Sequence, residues 1–123
     1  MRYLCLVYLE PAVLEALPRN EMTQLMSDSV EFDEKLRRAG QLVAAGPLKP
    51  VQTATTVRSR GGKVVMTDGP YAESKEVLAG FVYVEVESRD EALRIAASLP
   101  VAKYGSIEVR EMQRVVDPTP YFK

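Results

Sequence analysis

Histidine is absent from this 123-residue chain. Its absence removes the commonest general base and the commonest transition-metal ligand, and it excludes Ser-His-Asp and Cys-His mechanisms outright. A zinc site would have to be built from a single cysteine and carboxylates, so no metal or other cofactor is expected. Cysteine occurs once, as Cys5. It cannot form an intramolecular disulfide, and its place in an apolar run reads as a buried, reduced thiol of a cytosolic protein. With no histidine to activate it, a catalytic thiolate is poorly supported. A basic surplus is also lacking: 16 Lys and Arg face 17 Asp and Glu, for a net charge of -1. Nothing is left over to neutralise phosphates or anionic lipid, so neither direct nucleic-acid binding nor membrane attachment is expected. No apolar run approaches the roughly 18 residues of a transmembrane helix. Residues 1–9 superficially suggest a signal peptide, but the run is short and β-favouring, and Glu10-Pro11 ends it without a small-residue cleavage site. The expected compartment is the cytoplasm.

What remains is an ordinary globular composition, 46% hydrophobic and 27% charged. The length suits one domain with a self-sufficient core. That domain is expected over residues 1–113, followed by a Pro-containing tail at 114–123 with Tyr121 and Phe122.

Along the chain, residues 3–9 read as a strand that is apolar on both faces. Pro11 and Pro18 bracket an irregular link. A helix is expected over 21–39, with Asn20 as its cap, Glu21 in its first turn and Gly40 beyond its end. Its apolar stripe runs through Met22, Leu25, Met26, Phe32, Leu36 and Ala39, and both methionines are expected in the core. Lys35, Arg37 and Arg38 read as compensation of the helix dipole rather than as a nucleic-acid patch. Residues 42–45 form a strand that Gly46-Pro47 should stop. Residues 53–59 and 64–67 pair as a hairpin about Arg60-Gly61-Gly62-Lys63, which lacks the spacing and following helix of a phosphate loop. A strong strand spans 80–86. Ser88-Arg89-Asp90-Glu91 has capping-box spacing before a second helix that Pro100 ends. Residues 106–112 alternate as the last strand.

The order is β-α-β, a hairpin, then β-α-β. Setting the hairpin aside, this is an α+β fold of the ferredoxin-like split βαβ type. Two helices cover one face of such a sheet. The strands at 3–9 and 80–86 are apolar at both parities, so the second face needs cover too, and face-to-face pairing with a second copy is the simplest way to supply it. A homodimer is therefore expected. Tyr3, Tyr8 and Tyr83 lie on these strands, where packing is their main expected role.

The densest chemistry lies in Thr67-Asp68-Gly69-Pro70-Tyr71-Ala72-Glu73-Ser74-Lys75-Glu76, five ionisable side chains around a Gly-Pro turn. As a site, it would use Asp68 or Glu76 as a general acid or base, with Lys75 or Arg58 holding a carboxylate or an enolate oxygen, and with Glu73 and Tyr71 in contact with ligand. As a plain turn, Asp68 would accept backbone N–H bonds, Tyr71 would pack on the sheet, and Glu73, Lys75 and Glu76 would form weak exposed pairs. Ligand binding without catalysis is the third alternative.

This segment, with Leu78-Ala79-Gly80-Phe81 after it, resembles the signature of the DGPF proteins of the YCII-related group. The similarity extends through Ala45-Gly46-Pro47-Leu48, Thr55-Thr56-Val57-Arg58, Ser88-Arg89-Asp90-Glu91-Ala92, Pro100 and Gly105-Ser106-Ile107-Glu108-Val109-Arg110. The resemblance implies a ferredoxin-like, dimeric α/β-barrel fold, with no generally established activity. YCII-type relatives carry a histidine on the first helix and an aspartate before a proline near the end of the second, proposed as an acid–base pair. By spacing from Gly46-Pro47, the histidine position falls near Ser29 and the aspartate position at Leu99, so the pair does not carry over. One related lineage removes chloride from a muconolactone-type substrate. DGPF proteins tend to be encoded near, or fused to, alternative sigma factors, which implies a regulatory link. Two function classes follow: a homodimer binding a small acidic or carbonyl metabolite, as a regulatory accessory, and a cofactor-independent isomerase- or lyase-like enzyme working with carboxylates.

Overall fold

The computed structural model describes residues 1–113, so the expected tail at 114–123 lies outside the described residues. Six strands and three α-helices follow in chain order: β1 (Arg2–Leu9), α1 (Pro11–Glu15), α2 (Arg19–Arg38), β2 (Leu42–Pro47), β3 (Thr55–Arg60), β4 (Lys63–Asp68), β5 (Val77–Glu85), α3 (Arg89–Ser98) and β6 (Gly105–Glu111). Short 3-10 turns sit at Val51–Thr53 and Pro100–Lys103. Four strands form one sheet in the order β2-β5-β1-β6, every neighbour antiparallel. With the hairpin β3–β4 set apart as its own two-stranded sheet, this is the expected α+β, ferredoxin-like arrangement.

Side-chain alternation decides where the core lies. Along β1, Tyr3, Cys5, Val7 and Leu9 are buried, while Leu4, Leu6 and Tyr8 are half-buried. On β5, Val82 and Val84 are buried and Phe81 and Tyr83 are half-buried. The buried set meets Leu36 of α2 and Ala92, Ile95 and Ala96 of α3 in one cluster. Cys5 and Val84 are its largest fully buried side chains. Burial pushes the Cys5 thiol up to about 11, which keeps it protonated and inert at neutral pH. Among the described residues, the half-buried side chains of the other sheet face, Leu4, Leu6, Tyr8, Phe81 and Tyr83, lie outside this helix-packed cluster.

Local chemistry explains most boundaries, and four depart from expectation. First, the link after β1 contains a short helix, α1, with Pro11 in its first turn, where a missing N–H costs nothing. Second, α2 begins at Arg19 with Pro18 as its cap residue, so Asn20 lies inside the first turn and no side chain caps this end. Third, β2 runs through Gly46-Pro47 rather than stopping before it. Pro47 is tolerated because β2 is an edge strand, and it pairs with Gly80. A Cβ at position 80 would lie 2.8 Å from the Gly46 carbonyl oxygen, so only glycine lets the two strands approach this closely. Fourth, Met26 is 63% exposed and lies outside the core.

The hairpin turn and the cap of α3 follow expectation. Gly61 and Gly62 take φ of 55° and 79°, the mirror-image turn that suits twisted strands. The Ser88 hydroxyl accepts from the Glu91 N–H at 3.2 Å. The Glu91 carboxylate accepts in return from the Glu87 N–H at 3.2 Å and is also bound by the Gln41 side-chain amide.

Candidate functional site

The charged loop joins β4 to β5 and walls a hollow of about 680 Å³. Its floor is Tyr8, from the helix-free face of the sheet, with Leu78 opposite it in the pairing of β1 and β5. Leu48, Pro50 and Val51 form one side, and Pro70, Tyr71, Ser74 and Glu76 the other. The loop is held by main-chain and hydroxyl bonds: the Gly69 N–H donates to the Ala54 carbonyl at 2.7 Å, and the Thr56 hydroxyl to the Gly69 carbonyl at 2.9 Å. The Ser74 hydroxyl donates to the Glu76 carbonyl.

Of the six residues singled out in this region, Tyr71 and Glu76 line the hollow together. The Glu76 carboxylate accepts from the Ser106 hydroxyl, 3.2 Å from each oxygen. Tyr71 is 80% exposed and does not pack on the sheet, but the Arg58 guanidinium sits 5.6 Å from its ring centroid. Arg58, Asp68, Glu73 and Lys75 are not among the lining residues. Lys75 lies 3.8 Å from the Glu10 carboxylate, and Asp68 ends β4 opposite Thr55, its side chain exposed. The cation that lines the hollow is Lys49.

A second hollow of about 320 Å³ lies on the opposite, helix-covered side. Val7, Leu9 and Val82 of the sheet form its base, and Gly46-Pro47 one wall. Met26, Ser29, Val30 and Asp33 line it from α2, and Leu99-Pro100-Val101 closes the end. Residues 26, 29, 30 and 33 fall on one stripe of the helix, three and four apart. The β2 extension through Gly46-Pro47, allowed by Gly80, builds the wall opposite that stripe. Ser29 and Leu99, the two positions singled out through the resemblance, both line this one crevice.

Among the described residues that line the crevice, Asp33 is the one with an ionisable carboxyl or amine. It is half-buried. Burial pushes its carboxyl above the ordinary carboxylate range, and the nearby Arg37 guanidinium pulls partly the other way. The crevice therefore offers a poised carboxyl and a hydroxyl, Ser29, in otherwise apolar walls. Asp33 is not among the residues expected at a site from sequence, although it stands two helical turns from Met26. The available signal was its spacing of four from Ser29. Among the described residues, no three His, Cys, Asp or Glu side chains converge in a metal-binding geometry.

Comparison with known proteins agrees with this architecture. A 114-residue alignment with an uncharacterised protein of Rhizobium meliloti (strain 1021) is 37% identical, covering 91% of this chain and 92% of that one. Among solved structures, the fold is similar to 5-chloro-2-hydroxyhydroquinone dehydrochlorinase from Burkholderia phenoliruptrix AC1100, in complex with 2,5-dihydroxybenzoquinone. The TM-score is 0.54 at 17% identity, over 92% of this chain and 94% of that one. At that identity the likeness speaks to fold alone. The model of the YCII-related domain matches residues 1–115, and the chain belongs to that family.

Proposed function

We propose that this protein is a cytoplasmic homodimer that binds a small, uncharged, carbonyl- or hydroxyl-bearing metabolite in the crevice between α2 and the sheet. One observation carries the reading: a single half-buried carboxyl, with a hydroxyl one helical turn away, faces an otherwise apolar hollow. Such a site is mostly apolar, with a few polar groups that fix orientation. A protonated Asp33 donates to a carbonyl oxygen, and an ionised one accepts from a hydroxyl. An anionic ligand would meet no cation there; the acidic ligands weighed from sequence suit Lys49 in the loop hollow better. The solved enzyme with this fold acts on a hydroxylated ring, and a keto or hydroxy ring of that kind is the first class to try. The dimer is supported by the half-buried, helix-free sheet face. A regulatory role beside an alternative sigma factor rests on the family resemblance.

A second reading, a cofactor-independent isomerase or lyase, is favoured by the raised pKa of Asp33, which suits a general acid or base. It would have one carboxyl to work with, which limits it to single-proton chemistry next to a carbonyl.

Thermal shift with 2,5-dihydroxybenzoquinone and a panel of keto and hydroxy rings tests the site. A ligand held only by the folded state adds about 2.7 kcal/mol of stability at a hundredfold excess over Kd. Ser29→Trp fills the crevice and is expected to abolish that shift, while Tyr71→Ala is expected to leave it intact. The opposite pattern would move the site to the loop.

A further inference from the structure

The hairpin β3–β4 stands apart from the main sheet, and its pairing sorts its side chains onto two unlike faces. Val57 opposes Met66 and Ser59 opposes Val64, so Val57, Val64 and Met66 share one face. They are 58%, 60% and 69% exposed. Arg58, Arg60 and Lys63 lie on the other face, where Arg58 reaches Tyr71 of its own chain. A two-stranded hairpin is marginal in water without something to pack on, and the apolar face of this one is bare.

We infer that the apolar face of this arm packs on a second copy of the chain, roofing the partner's Tyr8-floored hollow, so that each hollow is closed by Val57, Val64 and Met66 of the partner subunit. Area argues for a second copy. The helix-free sheet face measures about 25 Å by about 19 Å from strand lengths and spacing, on the order of 500 Å². A standard stable interface buries about 800 Å² per partner, so the sheet face alone falls short. Two six-residue strands add a patch of about 20 Å by about 10 Å, which narrows the gap. Position argues for the hollow. Ala54 and Pro70, at the arm's two roots, line it together with Tyr8 and Leu78, so arm and hollow share the helix-free side. Its walls are largely apolar, Leu48, Val51 and Leu78 among them. The arm's cations, Arg58, Arg60 and Lys63, lie on its other face and leave the apolar face free for this contact. An isologous dimer makes the contact twice.

The inference rests on the proposed dimer and is tested so that the two can fail separately. Sedimentation equilibrium of the full chain gives the dimer dissociation constant. The double variant Val64→Lys, Met66→Lys is expected to raise it at least tenfold, and Thr67→Lys, on the basic face, to leave it within twofold. A chain with residues 57–66 replaced by Asn-Gly removes the arm and leaves the main sheet intact; it is expected to show the same weakening, and it answers the question should the lysine variant fail to fold. In a mixture of Met66→Cys and Leu78→Cys chains, a short bis-maleimide is expected to join the two species. A dimer indifferent to the lysine pair and to arm removal overturns the arm contact alone. Equal weakening by Thr67→Lys overturns the facial assignment. A wild-type monomer overturns both the arm contact and the dimer.

Discussion

The two faces of the main sheet are built from similar side chains and differ in what covers them. On one, Cys5, Val82 and Val84 meet α2 and α3 and vanish from solvent. On the other, Leu4, Leu6, Tyr8, Phe81 and Tyr83 stay half-buried within the single chain. Each face also ends in a hollow. The helix-covered hollow is smaller and nearly apolar, with one carboxyl shifted by burial. The other is larger, open to the loop, and carries Lys49 and Glu76 in its lining. Burial raises the carboxyl at the helix-covered hollow, so the quieter-looking hollow is the better candidate for chemistry.

The largest expected contrast is between leucines on the two faces. Leu36→Ala empties a buried position in the core cluster and is expected to cost about 2–5 kcal/mol. Leu6→Ala, on the half-buried face, should cost less than half of that in the monomer, and more as protein concentration rises. Urea unfolding at two concentrations a hundredfold apart checks both. A cost for Leu6→Ala that is equally large at both concentrations would mean that no second copy covers the face.

Next in size is the strand contact that shapes the crevice. Gly80→Ala places a Cβ against the Gly46 carbonyl oxygen, and the strain should cost about 1–3 kcal/mol. Gly46→Ala meets nothing within 4 Å and should be nearly neutral in the monomer. Both are read from Tm, and the ligand shift should be lost with the first. Smaller still is the contrast between helix starts. Ser88→Ala removes a hydroxyl that caps α3 and should cost about 1 kcal/mol, whereas Asn20→Ala, inside the first turn of α2, should be close to neutral. Equal effects would restore Asn20 as a cap.

Much of the fold could be read from the residues because its signals are local. Alternation at 106–112, the two glycines of the hairpin turn and the Ser88–Glu91 spacing each specify their own geometry. Where expectation failed, a distant element decided. Gly46-Pro47 reads as a strand stop until Gly80 makes room beside it. Met26 reads as core until the rotation of α2 places it at the crevice mouth. The site divided the same way. Tyr71 and Glu76 stand out by density of charge, and both line one hollow. Asp33 was not found, because its environment is assembled from α2, β2 and the Leu99-Pro100 turn, and no local spacing encodes that meeting. Ser29 and Leu99 gave a partial pointer, since the two positions named by the resemblance converge on the same crevice.

The smallest expected effect is the most direct test of the difference between the hollows. Burial raises the Asp33 carboxyl above its ordinary range, so the folded state holds this proton more firmly than the unfolded one. Below the ordinary carboxylate range both states are protonated, and Asp33 has no effect on stability. As pH rises through that range the unfolded carboxyl ionises first, and stability falls until the folded carboxyl ionises too. The penalty then stays constant toward neutrality. Asp33→Asn removes it, so the variant should match the wild type at low pH and exceed it slightly at neutral pH, the gap opening across the carboxylate range. The side chain is only partly buried and Arg37 offsets part of the shift, which keeps the gap small and makes its sign the informative quantity. Chemical denaturation at several pH values measures it. A variant less stable than the wild type at neutral pH would mean that the ionised carboxylate is favoured by partners in the fold, and the crevice would then be a polar structural joint instead of a binding site.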